Sequence, residues 1–130
     1  MCTTTSAACL AAALLLAGAA GASTGSATDL RISYWPRGQG AGRLFHWTLR
    51  CGPPGGTLPR GSRACRRLAA MARPFAPVPK GVACTQIYGG PQIAIVSGTF
   101  RGRRVWARFS RVDGCQTERW NRVRFLFVER

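Results

Sequence analysis

The chain has 130 residues, a formal charge of +15 and six cysteines, which points to one small domain and excludes a multidomain enzyme. Hydrophobic residues make up 46% and aromatics 9%, so a low-complexity basic tail is excluded too and a packed core is expected. Eighteen arginines and one lysine face four acids, so guanidinium groups dominate the electrostatics.

Ala7 to Ala22 are almost entirely Ala, Leu and Gly and end in small-residue patterns. They read as a secretory signal peptide over residues 1–22, followed by a flexible mature start at 23–27 and a folded domain at 28–130. Cleavage after Ala20, Ala22 or Ala27 leaves about 103 to 110 residues. The apolar run is too short for a membrane span and no later stretch approaches the length needed, so a secreted, extracellular protein is expected. Four mature cysteines remain, Cys51, Cys65, Cys84 and Cys115, and they can pair in three ways. A small secreted domain commonly needs such staples.

Leu30, Ile32 and Tyr34 alternate with Arg31, Ser33 and Trp35 as in a half-buried strand, and Arg43 to Cys51 repeats the pattern. The turn-rich stretch from Pro36 to Gly42 joins them into a hairpin. Gly52 to Gly61, dense in proline and glycine, reads as an ordered loop. Ser62 is placed to cap a helix continuing over Ala64 to Ala72, with Leu68 and Met71 on its apolar side and Pro74 as the stop. Pro77, Pro79 and Gly81 lead into a short segment, Cys84 to Tyr88, closed by Gly89, Gly90 and Pro91. Gln92 to Phe100 and Arg103 to Phe109 form the clearest hairpin, turning at Arg101 and Gly102. A polar break at Arg111 to Gly114 precedes a brief helix over Cys115 to Trp120. Val123, Phe125 and Phe127 then alternate with Arg122, Arg124 and Leu126 as a final strand. The order predicts an α+β fold: a five-stranded antiparallel sheet with two short helices, stapled by disulfides.

No catalytic residues are identified. The lone histidine, His46, sits in an alternating strand, no GxSxG motif occurs and no triad can be assembled, so an enzyme is not expected. No CxxC pair occurs and His46 completes no zinc spacing, so neither a metal nor a cofactor is expected.

Three blocks, CGPPGGTLPRGSRACRRLA at 51–69, CTQIYGGP at 84–91, and GTFRGRRV followed by Cys115, resemble the Streptomyces subtilisin inhibitor family over roughly Thr28 to the C-terminus. The resemblance implies a secreted, commonly homodimeric inhibitor of subtilisin-like serine proteases, some members acting on trypsin-like enzymes. It implies pairing of Cys51 with Cys65 and of Cys84 with Cys115. It also implies a substrate-like reactive loop with its scissile bond between Gln86 and Ile87: Cys84 at P3, Thr85 at P2, Gln86 at P1, Ile87 at P1' and Tyr88 at P2'. Gly89, Gly90, Pro91 and Asp113 would support that loop. Four features depart from the family pattern. Gln86 stands where Met or Lys is frequent, Gly89 and Gly90 fill a stretch that usually holds one residue before the proline, and Asp113 replaces an Asn that braces the loop from beneath. Phe100 also stands in place of a common tryptophan.

Plainer readings compete. Gln86 and Ile87 also fit an ordinary loop, and Tyr88 fits a core anchor with its hydroxyl at a boundary. The arginines at 101, 103, 104, 108, 111, 119, 122 and 124 fit a solvated basic face. They also fit the alternative function, a secreted basic protein binding weakly to polyanion or cell-envelope polymer without inhibiting a protease. No nucleic-acid recognition signature accompanies them.

Overall fold

The strand expected around Leu30 forms as β1 (Thr28–Trp35), and its alternation sets the architecture: Leu30, Ile32 and Tyr34 are buried while Asp29 and Arg31 face solvent. The computed structural model describes residues 27–130; the expected signal peptide and positions 23–26 of the expected mature start lie outside the described residues. β2 (Phe45–Cys51) pairs with β1 antiparallel, matching Leu30 to Leu49 and Tyr34 to Phe45. On the other side of β1 runs β3 (Gly90–Phe100), which hairpins into β4 (Arg103–Arg111). Arg101 at φ 49° and Gly102 at φ 77° supply the two left-handed residues that a tight hairpin turn needs.

The sheet order is β2-β1-β3-β4, all antiparallel. Two helices cover one face: α1 (Gly61–Ala69) contributes Ala64 and Leu68, and α2 (Gly114–Val123) contributes Trp120 and Val123. They close over Leu30, Ile32, Leu49, Val96 and Phe109, all fully buried. The opposite face is open, and Trp106 stands 67% exposed there. The two disulfides join Cys51 to Cys65 and Cys84 to Cys115, the pairing the resemblance implies. The first fastens the end of β2 to α1; the second fastens the segment before β3 to the first turn of α2.

The expectation of five strands is corrected to four. Residues expected as a final strand continue α2 to Val123 and then form a 3₁₀ turn, Arg124–Leu126. Trp120, Val123, Leu126 and Phe127 are buried, a helical spacing of three and four rather than the alternation of a strand. The tail beyond is pinned by the Trp47 indole N–H, which donates to the Val128 carbonyl at 3.0 Å, and by the Tyr34 hydroxyl, which donates to Glu129 at 3.1 Å.

The first helix is also displaced from its expected place. It starts at Gly61, with Arg60 as the capping position in a left-handed conformation, so Ser62 lies inside the helix and caps nothing. It ends at Ala69 instead of Ala72 because the Arg101 guanidinium, reaching across from the β3–β4 turn, donates to the carbonyls of Leu68 (3.0 Å), Ala69 (3.3 Å) and Ala72 (3.2 Å). The Leu68 carbonyl also accepts from the Met71 N–H at 3.1 Å, and a cation seated at this end of the helix is favoured by its dipole.

Candidate functional site

Between the end of α1 and the start of β3, residues 82–89 adopt no regular secondary structure. Apolar side chains project from this segment: Ile87 is 70% exposed and Tyr88 64%. Thr85 and Gln86 are exposed as well, and Cys84 is half-buried. The reading of Tyr88 as a core anchor is therefore set aside. Large apolar groups held in water at neighbouring positions have a cost that burial by a partner removes.

The segment is held at both ends against one short stretch, Arg111 to Cys115. On the near side the Cys84–Cys115 bond fixes its start, and the Gly114 N–H donates to the Thr85 carbonyl at 2.9 Å. On the far side the Gly89 N–H donates to the Arg111 carbonyl at 2.6 Å. Gln86 folds its amide back, Nε2 donating to the Cys84 carbonyl at 3.3 Å. The peptide between Gln86 and Ile87 thus sits at the crest of an arch whose two feet are fastened separately.

Two glycines make the feet fit. A Cβ on Gly114 would collide with the Thr85 hydroxyl, and one on Gly89 would stand 2.9 Å from the Thr117 hydroxyl and 3.2 Å from the Arg111 Cβ. Gly90 opens β3, and the pairing of β3 with β4 shifts register between Gly90 and Ala94. An irregularity of this kind accommodates an additional residue such as the second glycine. Pro91 follows as the second residue of that strand.

Asp113 does not touch the arch directly. Its carboxylate accepts from the Gln116 N–H at 2.8 Å, capping α2, whose first residue is the Gly114 that holds Thr85. Its support is thus exerted through the helix start. The Asp113 carboxylate and the sulfurs of Cys84 and Cys115 lie within 4.8 Å of one another, but the sulfurs are bonded to each other and do not form a metal site. The approach to the arch is fixed by Arg119. Its Nε donates to the Ala76 carbonyl at 2.9 Å and its Nη1 to the Gln116 side chain at 2.8 Å, while its guanidinium stacks 4.6 Å from the Phe109 ring centre. Burial, and secondarily the neighbouring Arg122, lower its pKa from the usual guanidinium value.

The sequence singled out Cys84 to Pro91 and Asp113, and the structure brings all of them to one end of the molecule. It also brings in Gly114, Arg111 and Thr117, which sequence reasoning had left in a polar break or a helix. The Asp113–Gly114 pair was the available signal, since an acid before a glycine often starts a helix. His46, exposed on the outer sheet face, lies within hydrogen-bond distance of the Ser33 hydroxyl at 3.1 Å.

A family model described as subtilisin inhibitor-like matches residues 24–112. The chain belongs to the subtilisin inhibitor-like family. No curated protein matches it. The family match spans all four strands and the arch and ends just before Asp113, so the α2 foot of the clasp lies beyond it. At the level of the family this is a protease inhibitor domain of the subtilisin type, and membership implies a protease as partner.

Proposed function

We propose that this subtilisin inhibitor-like protein inactivates a subtilisin-like serine protease by presenting residues 84–88 as a substrate that is held rather than released. The scissile bond is Gln86–Ile87; Gln86 enters the primary specificity pocket and Ile87 and Tyr88 occupy the leaving-group side. The observation that carries this reading is the arch itself, with Gln86, Ile87 and Tyr88 exposed between two separately fastened feet. Fixing the backbone of one residue costs about 1–2 kcal/mol, so a pre-ordered segment of this length avoids several kcal/mol of ordering cost on association. The protease supplies every catalytic group. After attack, the new ends stay tethered to residues 111–115, which favours re-formation of the bond over departure of the fragments.

Gln86 carries no charge to pair with the acid of a trypsin-like pocket, which favours subtilisin-like enzymes over trypsin-like ones. Secretion belongs to the same reading. The two disulfides support an oxidising compartment, and no helix among the described residues is long and apolar enough to cross a membrane. A homodimer would find its aromatic surface at Trp106 on the open sheet face, and sedimentation tests it.

The deciding experiment titrates the mature domain into a panel of subtilisin-like and trypsin-like proteases, with Gln86→Lys and Gln86→Gly alongside. Saturable inhibition of a subtilisin-like enzyme at one loop per active site is expected, with Gln86→Lys moving preference toward trypsin-like enzymes. A folded domain that inhibits nothing in the panel, or that is cut at Gln86 and released without loss of protease activity, refutes the proposal.

A further inference from the structure

A cavity of about 550 Å³ opens between α1 and the C-terminal segment, lined by none of the residues of the arch or its feet, and five arginines line it: Arg60, Arg63, Arg67, Arg124 and Arg130. Its floor is apolar, made by Tyr34, Trp120, Phe125 and Phe127. Arg63 and Arg67 come from α1, at the spacing that places side chains on a single helix face, and Arg60 is its capping residue. Arg63 and Arg67, four residues apart, repel each other there. Arg67 is held in place by stacking 4.5 Å from the Phe125 ring centre.

These cations differ in their setting from other arginines of the domain. Arg101, Arg111 and Arg119 are hydrogen-bonded to the fold, whereas the nearby carboxylate of Glu129 is engaged by the Tyr34 hydroxyl. The first turn of α1 holds no acidic residue and its capping position makes no side-chain hydrogen bond, so the positive end of that short helix adds to the same edge. The volume lies within the range of small-molecule sites, roughly 300–1,000 Å³.

From this arrangement we infer a second binding site, for a compact oligophosphate. Planar guanidiniums grip phosphate oxygens in pairs. Each terminal phosphate of an oligophosphate carries roughly −1.5 to −2 charges at neutral pH and each internal one about −1, so a short oligophosphate sets several negative charges close together against these cations. The site is separate from the arch and does not depend on the inhibitory reading.

Calorimetric titration of the folded domain with inorganic tripolyphosphate is the test. One saturable site is expected, weakening about tenfold or more between roughly 50 and 200 mM salt. The double variant Arg63→Gln/Arg124→Gln is expected to lose about tenfold or more in affinity, and Arg103→Gln/Arg104→Gln on the β3–β4 hairpin to change it little. Circular dichroism confirms that both variants fold. Equal losses in the two double variants mean diffuse attraction to a surface of charge +15 and overturn the site. Absence of tripolyphosphate binding, or tighter binding of an oligoglutamate of equal charge, overturns the phosphate assignment.

Discussion

Replacing Gly114 by Ala tests the clasp at its tightest contact. The new methyl meets the Thr85 hydroxyl at a separation no real pair tolerates, with the Thr85 Cβ next at 3.3 Å. Relief requires Thr85 to change rotamer or the arch to back away by about 1 Å. A forced side-chain torsion costs of order 0.5–1.5 kcal/mol. A shift of the backbone forfeits the 2.9 Å bond from Gly114 to the Thr85 carbonyl, worth about 1 kcal/mol. Alanine meanwhile favours α2 by up to about 1 kcal/mol, so global stability changes little while the arch loosens. The expected result is a near-constant denaturation midpoint, faster amide exchange at residue 114, and inhibition weakened roughly tenfold, the equivalent of about 1.4 kcal/mol. Thr85→Ala removes the hydroxyl, and the double variant Gly114→Ala/Thr85→Ala should recover much of the loss, giving a coupling energy of about 1 kcal/mol in a double-mutant cycle. Unchanged exchange and unchanged inhibition in Gly114→Ala would refute the claim that this foot orders the arch.

Other expectations follow from the same geometry. Arg101→Ala strips three carbonyl contacts from the end of α1 and should lower stability by about 1.5–2 kcal/mol in a denaturant titration; Arg101→Lys should recover only part of it. Removing the Cys84–Cys115 bond, which spans 31 residues, should cost about 3.7 kcal/mol by chain entropy, and removing Cys51–Cys65, which spans 14, about 3 kcal/mol. Only the first should also abolish inhibition in a domain that stays folded. Burial, reinforced by the hydrogen bond to Glu129, pushes the Tyr34 hydroxyl from 10.0 up to about 12. The folded state therefore holds this proton more tightly than the unfolded chain does. Its contribution is complete below pH 10 and is lost as pH rises from 10 toward 12. Unfolding measured across that range should show the loss in the native protein and not in Tyr34→Phe.

What could be read in advance was local. β1 and β2 announce themselves by alternation, β3 and β4 by their β-branched and aromatic residues, each bounded by turn residues, and Arg101–Gly102 marks its hairpin directly. The end of the chain misled because Val123, Phe125 and Phe127 alternate while Trp120, Val123, Leu126 and Phe127 also fall on one helical stripe. The choice between them was made by Asp113, which starts α2, and by the core beneath Trp120. The end of α1 was beyond local reading, since it is set by Arg101 from a distant hairpin. The segment from Cys84 to Pro91 stood out through its motif, but Gly114 was not seen as its brace because the pairing with Thr85 exists only once the disulfide has brought the two regions together.

The reach of Arg101 onto α1 also bears on the order in which the chain folds. Nine residues are too few for a helix to persist alone in water. The buried side of α1 is only Ala64 and Leu68, and the Arg101 guanidinium reaches its last carbonyls only when the β3–β4 hairpin closes. The helix is therefore expected to consolidate after the sheet, as a late event that substitutions within α1 would reveal by accelerating unfolding while leaving the folding rate nearly untouched.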